Sequence, residues 1–190
     1  MEKSHFSDEC RVEIHPIRRR YVRRPVGQRF KDIFTSKGDA FGGQSLMVWG
    51  AIKSTGERSL IRCTGNVNSK EYQRVLKVGL LPLYEMEDIY VHDNAPSHKA
   101  RSTAEFLHSK GICVIHDWPA KNADINIIEN LWCHLKRELA SEPAESLDEL
   151  WKICQDVWNS IDTSYIQKLY DSIPARINEV LINHGACCSY

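Results

Sequence analysis

Three acidic residues that lie far apart along the chain have the types and settings that chemistry on a phosphodiester would require: Asp8, Asp93 and Glu129. Like charges that lie close together cannot all stay ionised unless a cation neutralises them. Carboxylate oxygens without histidine or thiolate partners favour Mg²⁺ or Mn²⁺ over zinc. Two such ions about 3.5–4 Å apart can activate a water or hydroxyl group and stabilise a leaving phosphate oxygen.

The element that positions Asp93 is a short predicted strand. The apolar run Ile89–Val91 ends just before Asp93, and Ser97 can cap a helix that Gly111 closes. A second apolar run follows at 112–115. Because strand, helix and strand in this order favour a parallel pair, Asp93 is expected at the carboxyl end of a strand, where open α/β sheets bind ligands.

Glu129 lies in a predicted amphipathic helix. Its apolar stripe consists of Ile128, Leu131, Trp132, Leu135 and Leu139. Glu129 lies roughly 90° from the middle of that stripe, at the border between core and solvent. A glutamate in such a position is usually an ordinary surface residue. A functional role is indicated only if Glu129 lies beside Asp93 and a third carboxylate.

Asp8 lies in a stretch, 3–14, whose alternation predicts a strand. The period of two puts Asp8 on the same side as Phe6 and Cys10, among apolar neighbours. Two readings stay open there: a charge on an edge strand, or a ligand held where its field is weakly screened.

A basic segment, Arg18–Lys31, follows the first strand and contains no acid. Its basic residues are Arg18, Arg19, Arg20, Arg23, Arg24, Arg29 and Lys31. Such runs are solvated faces, localisation signals or nucleic-acid contacts, and the excess of arginine favours phosphate contact. Two further candidate DNA contacts are Lys136, on the helix of Glu129, and His98, which could instead complete the turn after Asp93.

Composition indicates a soluble globular class. The chain has 190 residues with 42% hydrophobic and 26% charged residues, zero formal net charge, no apolar run near the ~20 residues of a membrane span and no signal peptide at its start. Seven scattered cysteines without a CxxC pair indicate reduced thiols in a cytosolic or nuclear protein. No Cys/His set has zinc-ligand spacing.

The remaining patterns predict a hairpin and three helices. The hairpin pairs Ser45–Lys53 with Arg58–Thr64. The first helix is capped by Asn68 or Ser69 and the second by Ser146. The final helix covers Ser164–His184, with a break at Pro174. This order predicts one mixed α/β domain over residues 1–190 with a helical C-terminal part.

Several segments together resemble the catalytic (DDE) domain of the mariner-type, or Tc/mariner, superfamily of cut-and-paste transposases. They are DNAPSHKAR, WPAKNADINIIENLW with the HLKREL that follows, FSDE, RRRYVRRPVGQRF, GGQSLMVWGAI and GNVNSKEY. The resemblance implies a ribonuclease H-like fold, with a mixed five-stranded central sheet flanked by helices. It implies that Asp8, Asp93 and Glu129 form a catalytic triad that binds two Mg²⁺ or Mn²⁺ ions.

The resemblance also implies a reaction and its partners. A transposase of this kind is an endonuclease that nicks transposon ends by hydrolysis and joins the freed 3′-hydroxyl to target DNA. The expected partner is double-stranded DNA in the nucleus, and a homodimer is a possible assembly. Neither a membrane nor a small-molecule cofactor is expected. The glycine-bearing loop around Gly42-Gly43 resembles a clamp for a protein partner or DNA.

The chain departs from the family pattern in three respects. The N-terminal helix-turn-helix modules of the family are expected to be absent. Thirty-five residues (94 to 128) separate Asp93 from Glu129, one more than is commonest, with the extra residue near His116-Asp117. Asn122-Ala123 replaces Ser-Pro and Ile127 replaces a proline, which should loosen the start of the helix of Glu129.

Three alternatives remain at this level. Asp124 could be mistaken for the third ligand, but its place before the helix favours hydrogen bonds to backbone donors there. A domesticated or catalytically impaired derivative would keep the fold and act as a DNA- or protein-binding module. A simple ribonuclease H-like nuclease would cleave RNA–DNA hybrids and leave duplex DNA intact.

Overall fold

Five strands form one mixed sheet in the computed structural model, which describes residues 3–14, 44–115, 118, 125–142 and 144–183. The strands are β1 (Ser4–Glu13), β2 (Ser45–Lys53), β3 (Arg58–Arg62), β4 (Ile89–Val91) and β5 (Cys113–Val114), in the spatial order β3-β2-β1-β4-β5. β1 and β2 pair antiparallel, as do β2 and β3, whereas β4 is parallel to both β1 and β5. The expected five-stranded mixed sheet is confirmed.

Six helices flank the described sheet. They are α1 (Ser69–Val75, continued by a π-helical turn over Leu76–Leu80), α2 (Pro96–Lys99), α3 (Arg101–Ser109), α4 (Ile128–Ser141), α5 (Leu147–Ser160) and α6 (Thr163–Ile182). No helix within the described ranges is long and apolar enough to span a membrane. As expected, the side chains of Asn68 and Ser146 cap α1 and α5, and Gly111 adopts a positive φ of 67° after α3.

The two faces of β1 pack against different layers. Phe6, Cys10 and Val12 face a core formed with α4, α5 and α6. On the opposite face, the Ser7 hydroxyl group lies 2.6 Å from that of Tyr90, which belongs to a second core with Tyr72 of α1. Consecutive residues of β1 therefore serve different sides of the sheet, as its alternation predicts.

A glycine on β2 makes room for the largest side chains of the core. Gly50 pairs with Asp8, and a Cβ atom at Gly50 would lie 2.5 Å from Cη2 of Trp132. Trp132, on α4, is buried and stacks on Trp158 of α5 with ring centroids 4.9 Å apart. The absent side chain thus lets α4 lie close to the sheet beside Asp8.

A buried charged cluster lies at the amino-terminal end of β1 and β4, opposite to the end that carries Asp93. The Oδ2 atom of Asp88 accepts hydrogen bonds from His5 Nε2 at 2.7 Å and from Lys53 Nζ at 2.9 Å. Lys53 also pairs with Glu85 at 2.8 Å. These contacts tie β1, β2 and the start of β4 together.

Two local predictions are wrong. The helix expected from Ser97 is divided into α2 and α3, because Ala100 adopts an extended ψ of 136°, and no side chain caps α2. The break expected at Pro174 does not occur, since α6 runs through it from Thr163 to Ile182. The buried residues on both sides of Pro174, among them Ile173 and Arg176, hold that helix in place despite the missing backbone donor.

Candidate active site

Asp8 lies in the middle of β1 on the face that meets α4. Burial raises the pKa of Asp8 to about 7, and the negative charges of Glu129, Glu9 and Asp93 act in the same direction, against a hydrogen bond from the backbone at Glu9. Coulombic effects of this kind require short distances. The strand that carries Asp8 lies next to β4, which Asp93 follows, and packs against α4, which carries Glu129.

Asp93 follows β4 by two residues, at the carboxyl end where the strand–helix–strand pattern puts it. Its Oδ1 atom accepts a hydrogen bond from the Ala95 amide at 2.9 Å and one from His98 Nδ1 at 2.6 Å. The hydrogen bond from His98, followed by the one from Ala95, lowers the pKa of Asp93 in spite of partial burial. This carboxylate is ionised and held on one of its two oxygens.

His98 lies between two carboxylates and is buried, with 4% of its surface exposed. Its Nδ1 faces Asp93 and its Nε2 lies 3.2 Å from Glu9 Oε1. Although burial opposes the charged form, the hydrogen bonds to Asp93 and Glu9 raise the pKa of His98 to about 9. The DNA contact predicted for His98 stays a prediction; in the structure both ring nitrogens face carboxylates inside the protein.

Glu129 lies in the first turn of α4, and all five residues of the predicted stripe are buried. No side chain caps this helix at Ile127, the position where the family pattern has proline. A tertiary contact holds the turn instead: buried Arg176 of α6 donates from Nη2 to Asn130 Oδ1 at 3.1 Å. Sequence reasoning missed Arg176, which looks like one polar residue in an amphipathic helix.

A polar network lies beneath Asp93 on the α1 side of the sheet. The Tyr72 hydroxyl group contacts the Tyr90 hydroxyl group at 2.9 Å and His92 Nδ1 at 2.8 Å. The Tyr72 ring also stacks on His98, with centroids 3.9 Å apart. The alternation of β1 was the sequence signal for this network, since it puts Ser7 and Glu9 on the side of the sheet opposite to Asp8. The sequence did not indicate that Tyr90 and His98 would contact them.

The donor set suits a hard divalent cation, since Asp8, Asp93 and Glu129 offer only carboxylate oxygens. Burial first, and then the charges of Glu129, Glu9 and Asp93, raise the pKa of Asp8, and a bound cation would offset both effects. Neither Asp8 nor Glu129 forms an ion pair with a described cationic side chain. The chemistry fits, but within the described ranges no three histidine, cysteine or acidic side chains are spaced to hold a metal ion.

Most of the predicted DNA contacts lie outside the residues that the structure describes. The segments outside the described residues include the basic segment Arg18–Lys31, the Gly42-Gly43 loop, His116-Asp117 and Asn122–Asp124. Lys136 is exposed on α4, and its ammonium group interacts with the thiol of Cys10, two residues beyond Asp8. A cation is therefore present on the Asp8 side of the sheet.

The mixed sheet, its strand order and the flanking helices define a ribonuclease H-like fold. The solved catalytic domain of Mos1 mariner transposase shares this fold, with a TM-score of 0.71 and 18% identity over 99% of this chain and 85% of that one.

The family follows from sequence comparison. The model of the DDE superfamily endonuclease family matches residues 3–151, and the chain belongs to that family. It is 29% identical over 190 residues to the Tcb2 transposase of Caenorhabditis briggsae and 31% identical over 192 residues to the Tc3 transposase of Caenorhabditis elegans. These matches cover 97% of this chain but only 69% and 57% of the two relatives.

Proposed function

We propose that this chain carries the catalytic activity of a Tc/mariner-type DNA transposase: hydrolytic nicking at transposon ends, followed by joining of the 3′-hydroxyl group to target DNA. The observation that carries the proposal is the placement of three acids on adjoining elements: Asp8 on β1, Asp93 two residues after the neighbouring strand β4, and Glu129 in the first turn of α4, which packs on β1. A buried acid beside an acid at the carboxyl end of a parallel strand is typical of catalytic sites.

The cofactor we propose is a pair of Mg²⁺ or Mn²⁺ ions held by Asp8, Asp93 and Glu129. Mos1 paired-end complexes, whose fold this chain shares, have been solved with Mn and with Mg. When bound, two such ions activate the attacking oxygen and stabilise the leaving oxygen of the phosphodiester.

The side chains of the protein have separate tasks in this proposal. With a pKa of about 7, Asp8 carries its proton part of the time at neutral pH, and binding of a cation requires that proton to leave. Asp93 is already ionised and offers Oδ2, since Oδ1 is occupied by His98 and Ala95. Arg176 steadies the turn of α4 that carries Glu129.

Double-stranded DNA is the proposed substrate, and Mos1 relatives of similar fold have been solved as a pre-cleavage transpososome and a Strand Transfer Complex. We assign the approach of the DNA to the basic segment Arg18–Lys31, and the site of action to the nucleus. A homodimer is part of the proposal, because joining two transposon ends requires two catalytic centres.

The test is nicking of supercoiled plasmid with Mn²⁺ or Mg²⁺, compared with a chelator. Asp93→Asn should abolish metal-dependent nicking while the circular dichroism spectrum and melting temperature stay close to those of the wild type. Asp156→Asn, which removes an exposed carboxylate from α5, is the charge-matched control and should cut normally. Undiminished cutting by Asp93→Asn would remove the metal role, and cleavage of RNA–DNA hybrid but not duplex would favour a simple ribonuclease H-like nuclease.

A second candidate is a catalytically impaired derivative that binds DNA or protein. Two observations favour it: the described acids are not closed around a metal position, and α4 starts without a side-chain cap. This candidate predicts retention on plasmid DNA with no nicking at any Mn²⁺ concentration.

A further inference from the structure

We infer that His98 is a positioning residue, which fixes Asp93 relative to the strand of Asp8 by bridging Asp93 and Glu9. The inference rests on the proposed function, because it assigns a task within the same metal site. It concerns a side chain that touches neither the metal ions nor the DNA in that proposal.

The backbone alone does not fix the distance between the two aspartates. Pairing between β1 and β4 comprises Ser4 with Ile89, His5 with Tyr90 and Phe6 with Val91. It therefore ends two residues before Asp8 on one strand and two residues before Asp93 on the other. Beyond that point, side chains must hold the two segments in register.

His98 spans this gap with both of its ring nitrogens. Nδ1 lies 2.6 Å from Asp93 Oδ1, and Nε2 lies 3.2 Å from Oε1 of Glu9, the residue next to Asp8. Because both nitrogens face acceptor oxygens, both donate hydrogen bonds. One imidazole ring thus links the loop after β4 to the centre of β1.

The position of the ring is itself restrained. His98 stacks on Tyr72 at 3.9 Å and on His92 at 5.1 Å between centroids. The Tyr72 hydroxyl group is anchored on Tyr90, which is anchored in turn on Ser7 of β1. A ring packed in this way can turn little, so its two hydrogen bonds set the direction of the carboxylates that they reach.

The consequence for Asp93 is a defined free oxygen. Oδ1 receives two donors, and none of the described residues donates to Oδ2. Carboxylates that bind metals are commonly hydrogen-bonded on the oxygen that faces away from the ion, and loss of such a partner typically weakens metal affinity about 10- to 100-fold. We assign this supporting task to His98.

The two contacts can be separated chemically. The amide nitrogen of asparagine takes the place of Nδ1, and that of glutamine takes the place of Nε2. His98→Asn should therefore keep the contact with Asp93, whereas His98→Gln should keep only the contact with Glu9. His98→Leu removes both.

The experiment measures Mn²⁺ affinity by electron paramagnetic resonance or calorimetry, together with plasmid nicking at increasing Mn²⁺. We expect a 10- to 100-fold weaker affinity in His98→Gln and His98→Leu and a smaller loss in His98→Asn. Excess Mn²⁺ should restore most of the nicking rate, which a general packing defect would not allow. His108→Gln, on the exposed side of α3, is the control and should match the wild type.

Glu9 provides an independent check. Glu9→Gln should weaken Mn²⁺ binding more in the wild-type background than in His98→Leu, because the part of its effect that passes through the His98 ring is already lost in that variant. If wild type binds Mn²⁺ and Asp93→Asn does not, but all His98 variants bind like wild type or more tightly, the positioning role is refuted and the proposed function stands. If wild type itself binds no Mn²⁺, the proposed function fails. Because His98→Asn and His98→Gln retain one polar contact each, the test does not depend on the folding of His98→Leu.

Discussion

Substituting Gly50 by alanine should disturb the active site through α4 without changing any acid. The new Cβ atom would lie 2.5 Å from Cη2 of Trp132, and ordinary contact begins at 3.4 Å, so the indole must move by about 0.9 Å. Trp132 is buried and stacked on Trp158, which leaves it little room to turn. The displacement therefore passes to α4, which carries Glu129 three residues earlier.

The expected magnitudes follow from general behaviour of tightly packed cores. Extra methyl groups in such cores cost about 1–3 kcal/mol in the free energy of unfolding. For a chain of this size that corresponds to a melting temperature about 2–12 °C lower. A displacement near 1 Å at a reacting group can slow the reaction about 100-fold, so the nicking rate should fall by about 10- to 100-fold.

Two assays and two further variants decide the matter: thermal unfolding by circular dichroism and plasmid nicking with Mn²⁺. Gly65→Ala is the control, because Gly65 has a φ of +78° and no atom within 4 Å of the added Cβ. It should lose stability by backbone strain of about 1–2 kcal/mol and keep its nicking rate. Trp132→Phe in the Gly50→Ala background should restore part of the rate. A Gly50→Ala protein with wild-type melting temperature and nicking rate would refute the packing argument.

Three further predictions concern charge. With metal ions chelated, folding raises the pKa of Asp8 from about 3.9 to about 7. Ionisation of Asp8 therefore destabilises the folded protein as the pH rises from about 4 to about 7. Asp8→Asn should therefore raise the melting temperature at pH 8 but not at pH 4, with a gain in the free energy of unfolding at pH 8 of at most about 4 kcal/mol. An equal gain at both pH values would contradict the raised pKa of Asp8. Asp88→Asn removes the buried carboxylate that Lys53 and His5 contact and leaves Lys53 paired with Glu85, which should cost about 1.5–3 kcal/mol at pH 7 in denaturant unfolding. Because folding lowers the pKa of Asp88, that difference should persist down to about pH 4 and shrink below it; a constant difference would point to packing instead. Arg23 and Arg24 changed together to alanine should flatten the salt dependence of DNA binding, and an unchanged slope would place the basic segment off the DNA path.

The elements that position the site were predictable where the apolar period is strong. β2 spans Ser45–Lys53 as predicted, and the buried stripe of α4 contains the five residues that its spacing indicates. The placement of Asp93 after β4 followed from an apolar run and a Pro-containing turn. These features depend on local pattern, which a sequence displays directly.

The supporting contacts were not predictable, because each joins residues distant in sequence. His98 was expected at the DNA or in a turn, and its bridge to Glu9 joins positions 89 residues apart. Arg176 reaches Asn130 from a helix that begins more than thirty residues later. Pro174 misled in the same way, since packing along α6 outweighs the local preference for a break.

Asp8 and Glu9 occupy consecutive positions of β1 and serve opposite sides of the sheet. A slip of β1 by one residue would put Glu9 in the place of Asp8 and Cys10 in the place of Glu9, or Asp8 in the place of Glu9 and Ser7 in the place of Asp8, so one side of the sheet would lose its acid. The same slip would turn Phe6, Cys10 and Val12 away from the larger core and push Arg11 and Glu13 into it. The register of β1 is therefore set by its apolar residues, and each of the two acids reaches its side of the sheet only in that register.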